Sequence, residues 1–104
     1  MAIDPGEIQR EEGPSKGRYL YRVGEDEAQM TYSRAGKTLI IIDHTEVPPA
    51  FRGTGAGLAL VARAVEDARA AGLRILPLCP FAAAQFRRHP EWADVLEGRR
   101  EAAP

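Results

Sequence analysis

Between residues 18 and 47 the chain alternates apolar and polar positions in three bursts separated by turn chemistry. "RYLYRV" (18–23) and "EAQMTYSRA" (27–35) step with a period of two, the second through Ala28, Met30 and Tyr32. That period is how a half-buried strand reads. "GED" (24–26) and "GK" (36–37) supply tight turns. "TLIIIDHTEV" (38–47) is rich in branched residues and gives the strongest strand signal in the chain. Three strands joined so closely predict an antiparallel meander.

The period changes after residue 57. From Leu58 to Ala71 there is no Gly or Pro, and Ala and Leu dominate, which favours helix. Leu58, Val61, Val65 and Ala68 define an inward face, Arg63 and Asp67 an exposed i,i+4 pair, and Gly72 a stop. "LRILPLC" (73–79) is a short strand expected parallel to 38–47 through a right-handed crossover. Pro80 opens a second helix that carries Phe81, Ala84 and Phe86 and ends at Pro90, before one more helical turn in "EWADVL". The order β-β-β-α-β-α predicts a mixed α+β fold, with a sheet covered by helices. Residues 1–17 are polar and read as a flexible arm, 18–96 as the domain and 97–104 as a frayed tail.

Composition narrows the setting. The 104 residues are 44% apolar and 28% charged, with a net charge of -1, so no overall field favours nucleic acid or a membrane. The longest apolar run, "LIII", is too short to span a bilayer. The first residues lack the apolar core of a secretion signal. One cysteine, Cys79, excludes an internal disulfide and fits a reducing compartment, so a cytoplasmic protein is expected. No metal site is expected.

"VPPAFRGTGAG" (47–57) stands between the strongest strand and the helix. Pro48 and Pro49 cannot donate to a ladder, so the strand must stop pairing there. Gly53, Gly55 and Gly57 permit positive φ and close approach to a ligand. The loop runs into a helix N-terminus, where free N–H groups and the macrodipole favour an anion. Arg52 can add a charge-assisted bond and Thr54 a hydroxyl. The same residues also suit a plain glycine-rich connection with an incidental arginine. Neither G-x-x-x-x-G-K-[ST] nor G-x-G-x-x-G is present, which counts against nucleoside triphosphates and dinucleotides.

Arg52-Gly53-Thr54-Gly55-Ala56-Gly57, after a strand and opening a helix, resembles the R/Q-x-x-G-x-G/A motif of the GNAT acetyltransferase superfamily. Residues 18–96 also resemble a small single-domain branch of it through "HTEVPP", "RGTGAG", "LCPF" and "RRHPEW". The resemblance implies a minimal acyl-CoA N-acyltransferase fold whose loop amides hold the pyrophosphate of coenzyme A. Acetyl-CoA is then the implied cofactor. The acceptor is an amine, on a small molecule or a protein, and the protein a monomer or homodimer. The chain lacks the segments that cover the acceptor in larger members, so a non-catalytic acyl-CoA-binding module or sensor is the alternative.

The resemblance also implies that the strands before and after the first helix splay apart around the thioester. Pro48, Pro49 and Pro77 suit such a gap. By strand period, Ile40, Ile42, His44 and Glu46 share one face and Asp43, Thr45 and Val47 the other. Glu46 can act as general base, with His44 orienting it, or the two can be a solvated polar pair. The Val47 N–H is the oxyanion donor implied by resemblance. Cys79, just before Pro80, sits near a helix N-cap that lowers a thiol pKa. It can accept acetyl, protonate the departing thiolate, or simply fill the core. Phe81 can wall the pantetheine arm or pack the core.

Overall fold

The computed structural model describes residues 3–97. The sheet's central strands are β2 (Lys16–Val23), β3 (Asp26–Ala35) and β4 (Leu39–Glu46), in the antiparallel meander that the alternation predicts. Tight turns at Gly24 and Gly36 take φ of 62° and 72°, which glycine adopts without strain. Tyr19, Ala28, Met30, Tyr32, Ile40 and Ile42 form the buried face. Helix α1 (Ala56–Ala71) crosses that face and delivers the chain to β5 (Arg74–Pro77), which pairs parallel with β4. Gly72 ends the helix at φ 72°, its N–H bonded to the carbonyls of Ala68 and Arg69. Helix α2 (Pro80–Arg88) and a 3-10 turn at Pro90–Val95 follow.

The arm expected over 1–17 is partly a strand instead. β1 (Gln9–Glu12) pairs antiparallel with β2, so the sheet has five strands in the order β1-β2-β3-β4-β5. Ile8 is buried, and Arg63 of α1 donates to its carbonyl. Arg10 donates to the Tyr32 hydroxyl at 3.0 Å and to Asp67 at 3.2 Å, while the Tyr19 hydroxyl donates to the same carboxylate at 2.9 Å. The guanidinium of Arg10 also lies over both tyrosine rings. Polar composition hid this segment, because beside Ile8 its anchoring is ionic and aromatic.

Other details also shift. Val61, Val65 and Ala68 face inward as expected, but Leu58 is only half-buried, and Leu60 and Ala64 complete the face. The Arg63–Asp67 pair, expected exposed, is three-quarters covered and belongs to the tyrosine network. At the other end the Glu97 N–H donates to Ile75, so residue 97 continues the fold, and the rest of the expected tail lies outside the described residues.

Both helices pack on one face of the sheet, in a single cluster that joins Ala64 and Val65 of α1, Ala82 and Phe86 of α2, and the inward strand residues. No described element covers the other face. There Arg18 pairs with Glu11 and Glu27, each at 2.8 Å, and Arg22 with Glu27 at 2.6 Å. Leu20 is fully buried in register between them, outside the main core. Among the described residues no helix is long and apolar enough to cross a membrane.

Gly17 permits the tyrosine network. It stands directly across from Tyr32, and a Cβ there would lie 2.4 Å from the Tyr32 hydroxyl and 2.9 Å from the Glu11 carbonyl. Gly17→Ala is expected to cost about 2 kcal/mol, in the range for forced overpacking. Urea denaturation would read this as a lower midpoint. An unchanged midpoint would mean that Tyr32 yields freely.

Candidate active site

The loop after β4 is built from positions that only certain residues tolerate. Pro48 leads into a 3-10 turn at Pro49–Phe51, then Gly53 and Gly55 take φ of 80° and 82°. Both values are left-handed, so a branched side chain at either position would strain the backbone. The Thr54 hydroxyl donates to the Phe51 carbonyl at 2.6 Å and accepts from the Ala56 N–H at 3.2 Å. It therefore pins the turn rather than facing outward. Gly55 is the N-cap of α1 and gives no side-chain cap. With the Ala56 amide taken by Thr54, the amides of Gly57 and Leu58 at the positive end of the helix have no hydrogen-bond acceptor among the described residues. Arg52 is exposed beside them and has no ion-pair partner among the described residues.

Gly57 does different work from the other two. A Cβ there would meet the Phe81 ring at 2.6 Å, so its absence lets the first turn of α2 close against the first turn of α1. Phe81 remains 37% exposed, at the mouth between loop and gap.

The gap itself begins at Ile42. β4 and β5 pair from Leu39↔Arg74 to Ile42↔Pro77, where the Ile42 carbonyl accepts from both Leu78 (3.1 Å) and Cys79 (3.2 Å). β4 continues to Glu46 with no β5 partner. Its next residue, Val47, has an N–H with no backbone acceptor among the described residues.

A bulge within β4 corrects the expected faces. The register with β3 jumps from Tyr32↔Ile42 to Thr31↔His44, leaving Asp43 as the extra residue. One inserted residue reverses every side chain beyond it. Ile40 and Ile42 therefore face the helices, while His44 and Glu46 face the open side with Thr31 and Gln29. His44 and Glu46 do share a face, but not with Ile40 and Ile42. Asp43 also joins the open side, accepting from Ser33 at 2.6 Å, and Thr45 turns toward the helices opposite Met30.

Thr45 consequently meets Cys79 across the gap. The thiol donates to the Thr45 hydroxyl at 3.3 Å and is only 6% exposed. Cys79 is the N-cap of α2. Its desolvation raises the pKa, but the Thr45 hydroxyl and the Ala82 and Phe81 amides at the helix start outweigh it, holding the thiol below its ordinary value. Glu46 accepts from the Gln29 side chain at 3.1 Å, and Gln29 accepts in turn from Arg18 at 2.9 Å. The structure thus gathers Arg52, Gly53, Thr54, Gly55, Ala56 and Gly57 at the loop. It divides the remaining candidates, with Cys79 on the helix side of the gap and His44 and Glu46 on the open side. Thr45 and Gln29 are functional candidates that strand period alone does not reveal. Among the described residues no His, Cys, Asp or Glu group is arranged to hold a metal.

Residues 18–95 match a family described as GCN5-related N-acetyl-transferase. The fold is similar to a GCN5-like candidate N-acetyltransferase from Staphylococcus aureus, solved by NMR in solution, with a TM-score of 0.68. The two share 30% sequence identity, over 88% of this chain and 90% of that one. No match was found among curated proteins. The glycine loop at a helix N-terminus, the gap between parallel strands and the match over most of the chain converge, and the protein belongs to the GCN5-related N-acetyltransferase family.

Proposed function

We propose that this protein transfers acetyl from acetyl-CoA to an amine. One observation carries the reading: the loop with left-handed Gly53 and Gly55 leads into the N-terminus of α1, next to a β4 that runs on past its last β5 partner. The residues fit the coenzyme. Two left-handed glycines remove side chains from the approach, the Gly57 and Leu58 amides are open, and Arg52 is an uncommitted cation. Phe81 at the mouth gives an apolar wall for the pantetheine arm.

The coenzyme supplies a thioester, whose carbonyl is open to attack by a neutral amine. The chain's own residues have three tasks around it. The Val47 N–H, free at the strand end, can stabilise a developing oxyanion. Glu46 takes a proton from the acceptor amine at its carboxylate, with Gln29 fixing the carboxylate's orientation and His44 beside it on the same face. Cys79 holds a proton at sulfur when neutral, and its depressed pKa makes that proton easy to give. The uncovered sheet face is the acceptor's approach, and its breadth admits either a small amine or a protein side chain.

Calorimetry with acetyl-CoA tests the binding half. Micromolar affinity is expected, with Arg52→Ala weakening it about tenfold through loss of a charge-assisted bond. No heat at high micromolar coenzyme would sink the reading. For the chemical half, Glu46→Gln should retain coenzyme affinity and lower turnover by roughly 10²-fold or more, as expected for a general base. Full turnover in that variant would remove Glu46 from the reaction. Turnover absent in the native chain too, with affinity retained, would favour an acyl-CoA-binding module.

The thiol makes a pH prediction. Its folded pKa lies below the unfolded value, so the thiolate's contribution to stability is complete above the unfolded pKa and is lost as pH falls through the folded one. Thr45→Val should raise the midpoint of thiolate absorbance toward the ordinary thiol range and flatten this dependence. An unmoved midpoint would assign the shift to the helix amides alone.

A further inference from the structure

A second recess lies behind the anion loop, with a volume of about 470 Å³, which is within the range of small-molecule sites. Its walls come from Tyr21 and Val23 at the end of β2 and from Phe51 of the loop, with Gly53 and Thr54 closing one side. The rings of Tyr21 and Phe51 meet edge to face at 5.5 Å and form a fixed aromatic corner. Val23 is 52% exposed, so its apolar surface is available to an occupant.

The rim carries charge of one sign. Glu7 and Asp26 both line the recess, and neither has an ion-pair partner among the described residues. Arg22 of β2 is committed to Glu27 at 2.6 Å, and Arg52, exposed between Phe51 and Gly53, does not line the recess. Apolar walls under a rim whose two charged lining residues are both acidic favour an organic cation with an apolar body. The aromatic corner adds a cation-binding face.

We infer that this recess binds a small primary amine carried on an aryl or alkyl group. It is separate from the reacting position, since Thr45, Glu46 and Cys79 do not line it. It does adjoin the anion loop: the Phe51 carbonyl that accepts from the Thr54 hydroxyl at 2.6 Å belongs to a wall residue. An occupant pressing on Phe51 is therefore felt at Thr54. The inference goes beyond acetyl transfer and stands without it.

The test is a titration of 2-phenylethylamine into the ¹⁵N-labelled full chain, followed by amide chemical shifts. Saturable shifts are expected at Tyr21, Val23, Phe51 and Thr54. The double variant Glu7→Gln, Asp26→Asn should weaken binding at least about tenfold, as should the neutral isostere 2-phenylethanol on the native chain. Absence of shifts at these residues would overturn the inference, as would equal affinity in the double variant. So would displacement of the amine by coenzyme A, which would make the recess part of the coenzyme's own site. Coenzyme A titrated alone reports on the acetyl-transfer reading, so its failure to bind and the failure of the amine to bind are separate results.

Discussion

Where β4 and β5 stop pairing decides most of what this fold can do. The two strands share only four paired positions, ending at Ile42 and Pro77. Pro77 has no N–H to extend the ladder, and the next two amides converge on one carbonyl, that of Ile42. That convergence turns the chain away from β4 and starts α2 at Pro80, with Cys79 left at the turning point. Had the ladder continued, β4 would be covered on both edges and the glycine loop would lead to no gap.

The bulge at Asp43 divides the gap's chemistry between two faces. Without it, strand alternation would aim Glu46 and His44 into the helix side and Thr45 outward. With it, a thiol–hydroxyl pair sits on the protected side and a carboxylate beside an imidazole sits on the exposed side. The two environments suit the different tasks proposed for them, an acid tuned in a covered setting and a base open to solvent. Both settings follow from one extra residue.

The parts legible in sequence were those set by local chemistry or sustained period. The meander, the helix over 58–71 and the parallel strand follow from alternation and from glycine and proline punctuation. The backbone shape of the glycine loop was equally legible, because φ near 80° at Gly53 and Gly55 is a conformation that glycine adopts without strain. The bulge has a faint trace in the sequence, where the adjacent polar pair Asp43-His44 breaks the alternation after Ile42. Reading that pair as an inserted residue requires the partner register on β3, which sequence does not carry. β1 was invisible for a related reason. Arg10 and Asp67 are 57 residues apart, and each alone looks like solvated charge.

The anchoring of that first strand bears on where the domain begins. Sequence likeness to the family starts at residue 18, yet Ile8 is in the core and Arg10 bridges Tyr32 to Asp67. A fragment cut to the matched span would open the edge of β2 to pairing with other chains and leave three partners of a shared carboxylate reduced to two. Recognition by likeness and the reach of the folded unit are here different boundaries, and the second lies earlier along the chain, since Ile3 also packs against the core.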